Sequence, residues 1–342
     1  MSKLKVAVIG CGSISKHRHL PEYHQNDEVD IVALCDIVTS RAEAMQELYG
    51  GTVYTDYEAL LKNETIDLVS VCLPNALHAP VSIAALESGA HVLCEKPMAT
   101  TKEEAEAMIE ASEKSGKTLM IAHNQRFVRS HQKAKELIAE GAIGKVYSFR
   151  TTFGHGGPEG WSVDGENSWF FRKEDAVIGA MGDLGVHKAD LIRYILGEEF
   201  TDVSAMVETN AKEGITVDDN AVCLLKSASG VIGTLTASWA YKVNENNSTV
   251  IYGEKGVLRL EDDPDYSLIA TYTDGSKVNY ELGKIQSNAE GKQTTTGVID
   301  HFVEAVLTGA TPLIDGQEGK KSLEIILAAM ESSQTGKNIK LS

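Results

Sequence analysis

The sequence predicts an α/β protein in two parts: a doubly wound parallel sheet over residues 1–123, then an α+β domain over 124–342 with a large, mostly antiparallel open sheet. Three observations predict it. Short apolar runs alternate with helix patterns as far as Ala122. A glycine turn follows the first of these runs directly. Beyond Asn124 the alternation stops, and strand patterns follow one another with turn residues between them. A chain of 342 residues is long enough for two domains, each with its own core.

The first run is Leu4-Lys5-Val6-Ala7-Val8-Ile9, followed by Gly10-Cys11-Gly12-Ser13-Ile14-Ser15 and a helix pattern over Ile14–His24. Strand, glycine turn and helix in that order suit a dinucleotide pyrophosphate. Gly10 allows the tight turn. Gly12 lets the backbone approach the phosphates, and the N–H groups at Ser13 and Ile14 open a helix whose positive end faces them. Ser15 stands where a third Gly or Ala is usual, and it is small enough for close helix–strand packing. A second run, Asp30–Cys35, ends in Asp36. That residue lies about 20 residues past the turn, where an acid accepts hydrogen bonds from the adenosine ribose hydroxyls. A carboxylate there repels a 2′-phosphate, which favours NAD over NADP. Arg41 lies near enough to keep NADP use open.

Further strands are expected at Leu68–Leu73, His91–Cys94 and Thr118–Ala122, with a short one at Thr52–Tyr54. Helices are expected at Ser40–Tyr49, Tyr57–Leu61, His78–Ser88 and Lys102–Ser115, with Thr39 or Ser40 and Thr101 as caps. Near-continuous apolar strands separated by helices mean a parallel sheet covered on both faces.

In the second part a helix at Ser130–Glu140 leads to a strand at Lys145–Phe153 and a Gly-rich stretch from Gly154 to Trp161. A helix over Ala180–Leu196 follows. Strands are then expected at Asp202–Glu208, Ala221–Leu225, Val231–Ser238, Ser248–Tyr252, Gly256–Leu260, Ser267–Tyr272 and Lys277–Leu282. Asn288–Gly297 reads as a mobile loop, and helices at Val298–Leu307 and Glu318–Ser332 close the chain. The junction near Asn124 is the natural cleft, facing the carboxyl ends of the parallel strands.

Composition excludes several classes of partner. With 32 basic and 49 acidic residues the net charge is −17, against binding to nucleic acid or an anionic membrane. No apolar stretch approaches a membrane span. The N-terminus runs straight into a strand pattern, without the h-region of a signal peptide. Five cysteines, an odd number with no metal-ligand spacing, read as reduced, mostly buried thiols of a cytoplasmic protein.

Glu95-Lys96-Pro97 ends the run His91–Cys94. Together with Gly10-Cys11-Gly12, Pro74-Asn75-Ala76-Leu77-His78 and Gly182-Asp183-Leu184-Gly185-Val186-His187, it resembles the Gfo/Idh/MocA family of sugar and cyclitol oxidoreductases. The likeness spans essentially the whole chain. It implies an NAD(P)-dependent dehydrogenase acting on a secondary hydroxyl of a sugar or an inositol-like cyclitol. It further implies Lys96 bonded to the reacting oxygen, His187 as general acid/base and Asp183 orienting the substrate or coupled to Lys96. No metal is needed. Glu95 would brace Lys96 or the nicotinamide ribose. Asn75 and His78 would line the nicotinamide side, although a cap or packing role also fits His78. Asn124 reads as a cofactor or substrate contact. Arg126 reads equally as a substrate contact or a structural salt bridge. Trp169 and Arg172 resemble cleft residues, with core packing open for Trp169, and His155 and Trp161 could reach substrate. The cluster His17-Arg18-His19 with His24 reads as a helix flank.

Relatives pair through the open sheet face, which implies a homodimer or homotetramer. Alternative readings are a hydrolase that uses NAD for transient oxidation and elimination, and a non-catalytic dinucleotide sensor. A phosphorylated substrate would need a basic cluster, for which Arg172, Lys173 and Lys188 are the nearest candidates.

Overall fold

The computed structural model describes residues 3–283 and 295–341. The loop expected over Asn288–Gly297 lies, as far as residue 294, outside them.

Six parallel strands form the first sheet: β1 (Leu4–Ile9), β2 (Val29–Cys35), β3 (Thr52–Tyr54), β4 (Leu68–Val71), β5 (His91–Cys94) and β6 (Leu119–Ile121). Their spatial order is β3-β2-β1-β4-β5-β6. The order reverses between β1 and β4, so the connections leave in opposite directions and open a crevice at the strands' carboxyl ends. All four residues of β4 are buried, as are Val6 to Ile9 of β1, as a sheet covered on both faces requires.

The covering helices are α1 (Leu20–Gln25), α2 (Thr39–Tyr49), α3 (Tyr57–Asn63), α4 (His78–Glu87) and α5 (Lys102–Ser115). Thr101 and Glu104 form a capping box on α5. The helix expected over Ile14–His24 is not a single α-helix. It opens with a π turn at Ser15–His19 before α1. Arg18 and His19, adjacent in sequence, are both buried there.

After α6 (Arg129–Ala139) the second sheet begins with β7 (Val146–Gly154). A strap of short 3₁₀ turns and α7 (Lys173–Ala176) follows. A second π turn at Met181–Gly185 then runs into α8 (Val186–Leu196). The remaining strands are β8 (Phe200–Glu208), β9 (Asn220–Ser227), β10 (Ile232–Ser238), β11 (Thr249–Gly253), β12 (Gly256–Leu260), β13 (Leu268–Tyr272) and β14 (Lys277–Tyr280). Helices α9 (Val298–Thr308) and α10 (Gly316–Thr335) lead to β15 (Ile339–Lys340). The order is β14-β13-β12-β11-β7-β10-β9-β8-β15, and among the described residues β7–β10 is its one parallel pair. The sequence pattern does not show β15, because two residues are too few to establish an alternation.

Strand β9 alternates strictly: Ala221, Cys223 and Leu225 face inward, while Val222, Leu224 and Lys226 face out. Helices α8 and α10 pack together, and α10 covers the inner face at β8. Helix α10 also rests on the first sheet. A Cβ on Gly319 would come within 2.6 Å of the Ile121 side chain, so only glycine allows this approach. The Ile121 N–H donates to Ile314 O at 2.9 Å, tying the returning chain to β6.

Candidate active site

Between the carboxyl ends of the parallel strands and the second sheet lies a cleft of about 640 Å³. At one end is the glycine turn. Gly10 has φ +97°, and a Cβ there would sit 2.2 Å from Cys72 O, so both backbone conformation and the crossing to β4 demand glycine. Nothing lies within 4 Å of where a Gly12 Cβ would be, which leaves the space over the turn open. Ser15 is fully buried and its hydroxyl donates to Gly12 O at 2.9 Å, closing the turn.

The Asp36 carboxylate accepts from the Cys11 N–H on Oδ2 and from the Val38 N–H on Oδ1, both at 2.8 Å. The acid at the end of β2 is thereby fixed to the glycine turn. The strap crosses the mouth of the cleft. The Ser13 hydroxyl donates to Trp161 O at 2.9 Å, Asn75 Nδ2 donates to Ala176 O at 2.8 Å, and Arg41 pairs with Asp164. Ile14 lines the same end. These residues fit a dinucleotide: an unobstructed glycine turn, helix N–H groups beside it, and a fixed carboxylate at the neighbouring strand end.

Toward the other end, β5 delivers Glu95 and Lys96. The Lys96–Pro97 bond is cis. Lys96 Nζ donates to Asp183 O at 2.9 Å and to Asp183 Oδ1 at 3.1 Å. Asp183 sits in the second π turn, and its other carboxylate oxygen accepts from Trp239 Nε1 at 3.1 Å. The start of this segment is held by Asp218, whose two oxygens accept from the Gly179 and Met181 N–H groups at 2.6 and 2.8 Å. Burial raises the Asp218 carboxyl above its ordinary value, although the two N–H groups work against that.

His187, one turn on, lines the cleft beside Lys96 and Asp183. Its Nδ1 is buried with no hydrogen-bond partner among the described residues. Burial, then the Lys96 charge, then His123 push its pKa well below the ordinary 6.5. The ring is therefore neutral near pH 7, and a neutral imidazole can accept a proton. His155 Nδ1 accepts from the Gly157 N–H at 2.9 Å, which leaves Nε2 4.0 Å from Asp183 Oδ2. Burial lowers its pKa as well.

Glu95 is buried under Lys96. One oxygen contacts His19 Nε2 at 2.9 Å and lies 3.6 Å from Arg18, and the other accepts the Lys96 N–H at 3.2 Å. Burial alone would raise this carboxyl, but His19, Arg18 and Lys96 outweigh it and hold the pKa at about 2. His19 is thus no helix flank. It is fully buried, and its other nitrogen meets Ser70 Oγ at 3.1 Å. Arg18 and His19 read as a helix flank in sequence because their partners Ser70 and Glu95 are remote in the chain.

The other predicted residues divide. Asn124 lines the cleft, its Oδ1 buried and unpartnered among the described residues. His78 lines it too, but its two nitrogens face Pro97 O at 2.6 Å and Leu73 O at 2.8 Å, so the ring ties the turn after β4 to the β5 end. Trp169 stacks on Phe170 with centroids 3.8 Å apart, and both lie on the cleft wall with Trp161. Arg172 lies at the rim, held by Asp175 at 2.6 Å.

Arg126 does not reach the cleft. Its guanidinium is buried and bonds Asp190 at 2.7 and 2.9 Å and Glu318 at 2.8 Å, so the salt-bridge reading replaces the substrate one. Lys188 does not join Arg172 in a basic cluster. It is fully buried and donates to Asn247 O at 2.8 Å, with burial pulling its pKa down to about 7. Gln125, Glu245 and Asn247 also line the cleft, and no residue pattern marks them for it. Glu245 and Asn247 lie between β10 and β11, so their approach is set by the second sheet, while Gln125 lies in a 3₁₀ turn just after β6.

The family model for the oxidoreductase family, NAD-binding Rossmann fold, matches residues 4–123. The model for the GFO/IDH/MocA C-terminal domain matches residues 131–259. The D-glucoside 3-dehydrogenase of Escherichia coli (strain K12) is 28% identical over 360 residues, covering 99% of this chain and 98% of its own. The myo-inositol 2-dehydrogenase of Thermotoga maritima is 27% identical over 343 residues, covering 99% and 98%. Among solved structures, levoglucosan dehydrogenase in complex with NADH and levoglucosan has a TM-score of 0.85 at 26% identity, covering 99% of each chain. With both domains matched and the glycine turn, Lys96, Asp183 and His187 gathered around one cleft, the chain belongs to the GFO/IDH/MocA oxidoreductase family.

Proposed function

We propose that this protein is an NAD-dependent dehydrogenase that oxidises a secondary hydroxyl of a sugar or cyclitol. The observation that carries the reading is the Lys96 ammonium, fixed by Asp183 in the cleft that also holds the neutral His187 and the glycine turn. Gly10, Gly12, Ser13, Ile14, Asp36, Asn75 and Asn124 would hold the dinucleotide, with Glu95 beneath its nicotinamide end. When bound, the nicotinamide supplies the hydride acceptor. Lys96 donates a hydrogen bond to the hydroxyl oxygen and offsets the negative charge that develops there. His187 takes the hydroxyl proton, and Asp183 keeps the ammonium in place. The aromatic wall of Trp161, Trp169 and Phe170 offers a face for the C–H side of a ring.

NAD is favoured over NADP because Asp36 faces the ribose position and Arg41 is already paired with Asp164. A homodimer or homotetramer is favoured by the open sheet face. Met206, Val222, Leu224 and Ile232 are exposed there, with Met206 opposite Val222 in register. A cytoplasmic location fits five free, buried thiols. No helix among the described residues is long and apolar enough to cross a membrane.

The test is a panel of D-glucose, D-xylose, methyl glucosides, myo-inositol and sugar phosphates, each with NAD and with NADP, read by reduced-nicotinamide absorbance. Reduction of NAD with at least one neutral polyol is expected. A panel without any turnover contradicts the reading.

A further inference from the structure

A buried chain of side chains runs from the back of the first sheet to the active-site lysine. Tyr23 OH lies 2.8 Å from Ser70 Oγ, which lies 3.1 Å from His19 Nδ1, and His19 Nε2 lies 2.9 Å from Glu95 Oε1. The second Glu95 oxygen accepts the Lys96 N–H at 3.2 Å. Tyr23, Ser70 and His19 are each 0% exposed and Glu95 is 5% exposed, so water does not replace these bonds.

The directions of the bonds follow from the groups themselves. An ionised carboxylate only accepts, so Nε2 is the donating nitrogen of His19. With one ring proton, Nδ1 accepts from the Ser70 hydroxyl, and Ser70 Oγ in turn accepts from Tyr23 OH. Every hydrogen in the chain then has an acceptor, an arrangement a low-dielectric interior strongly favours.

Each element contributes one link: the π turn His19, α1 Tyr23, β4 Ser70, and the end of β5 Glu95. The chain therefore registers the first helix and two central strands on one carboxylate. That carboxylate holds the backbone of the residue whose ammonium reaches Asp183. Arg18 also lines the cleft and lies 3.6 Å from the same Glu95 oxygen that meets His19, so the π turn meets that oxygen with two adjacent residues.

We propose that His19 is a positioning residue for the reaction. Through Glu95 it fixes the β5 end that presents Lys96, and what matters at position 19 is a donor and an acceptor in the right places. The inference takes the role of Lys96 from the proposed function, but one of its two tests is independent of turnover.

His19→Leu removes both bonds at similar bulk, whereas His19→Gln keeps a donor and an acceptor. The first measurement is amide hydrogen exchange at Glu95 and Lys96 in the protein without cofactor. Exchange is expected to speed up in the Leu variant and return toward that of the unsubstituted protein in the Gln variant. The second uses whichever of D-glucose, D-xylose or myo-inositol the unsubstituted enzyme oxidises. The Leu variant is expected to lose about tenfold in kcat, the effect of one charge-assisted hydrogen bond, while its NADH affinity by fluorescence titration stays within about threefold. The Gln variant is expected to recover most of kcat. If the Leu variant does not fold, Ser70→Ala and Tyr23→Phe remove single links with little change of volume, and each is expected to give a smaller change in the same direction.

The inference is overturned if a folded Leu variant matches the unsubstituted protein in exchange and kcat, or if the Gln variant is as impaired as the Leu one. Where Leu does not fold, unchanged exchange in both single-link variants overturns it. If no panel sugar is oxidised by the unsubstituted protein, the proposed function fails, and the exchange measurement alone still decides the role of His19.

Discussion

Lys96 and Asp183, 87 residues apart in the chain, are joined twice: the ammonium donates both to the carbonyl and to the carboxylate of the same residue. Two acceptors from one residue fix the position of Nζ better than either alone. The carboxylate is itself held by the buried Trp239.

Asp183→Asn should therefore weaken the hold on Lys96 without abolishing it, since the carbonyl bond survives. The expected loss in kcat is about tenfold, the value of one charge-assisted hydrogen bond, with little change in NADH affinity. Steady-state kinetics and a fluorescence titration check both halves. Trp239→Phe should move kcat in the same direction by less.

The depressed pKa of His187 sets the sign of the pH dependence. A base must be unprotonated to work, and this imidazole holds its neutral form to well below its ordinary 6.5. Oxidation should stay level as pH falls through 6.5 and decline only in more acidic buffer. A profile of kcat/KM against pH checks this. An acid limb centred at or above 6.5 would assign the base to another group. His187→Gln should remove the limb along with most of the rate.

Asp36 should govern the choice of cofactor. Asp36→Ala removes the acceptor proposed for the ribose hydroxyls and a negative charge. The NAD kcat/KM is expected to fall by about tenfold, and NADP use to rise. Adding Asp164→Ala should raise NADP use further, because it frees Arg41 from its partner. Parallel kinetics with both cofactors give the answer, and a preference for NADP in the unsubstituted enzyme would contradict the assignment.

Arg126 should matter to stability and not to substrate binding. Removing its guanidinium takes away both direct bonds to the buried Asp190, which among the described residues keeps only the Ser322 hydroxyl at 2.9 Å and Arg193 at 4.0 Å, while Glu318 keeps Arg193 and Lys321. Arg126→Ala is expected to cost about 3–5 kcal/mol, measured by denaturant unfolding. At a temperature where the variant is folded, the KM for substrate should be unchanged.

The fold was largely legible because each sheet announces itself locally. Four consecutive buried residues in β4 and the strict alternation of β9 follow from the faces those strands cover. Gly10, Gly12 and Asp36 are legible because strand, glycine turn and distal acid suit a dinucleotide, whereas Lys96, Asp183 and His187 are legible only through the motifs that carry the family resemblance. What the sequence hid depends on distant partners. His19 finds Ser70 51 residues away and Glu95 76 residues away. Arg41 finds Asp164 123 residues away, and Arg126 finds Glu318 192 residues away. A buried charge and a substrate-binding charge look alike in sequence, and here the packing of α8 and α10 separates them.

The most direct measurement compares the unsubstituted enzyme with Lys96→Met, by reduced-nicotinamide absorbance with a polyol it oxidises and by NADH titration. Methionine keeps the length of the side chain and removes the charge and its hydrogen bonds. The expected result is a loss of about 10²-fold or more in kcat with NADH affinity nearly intact. A folded variant that keeps more than about a tenth of the rate would show that Lys96 does not handle the reacting oxygen.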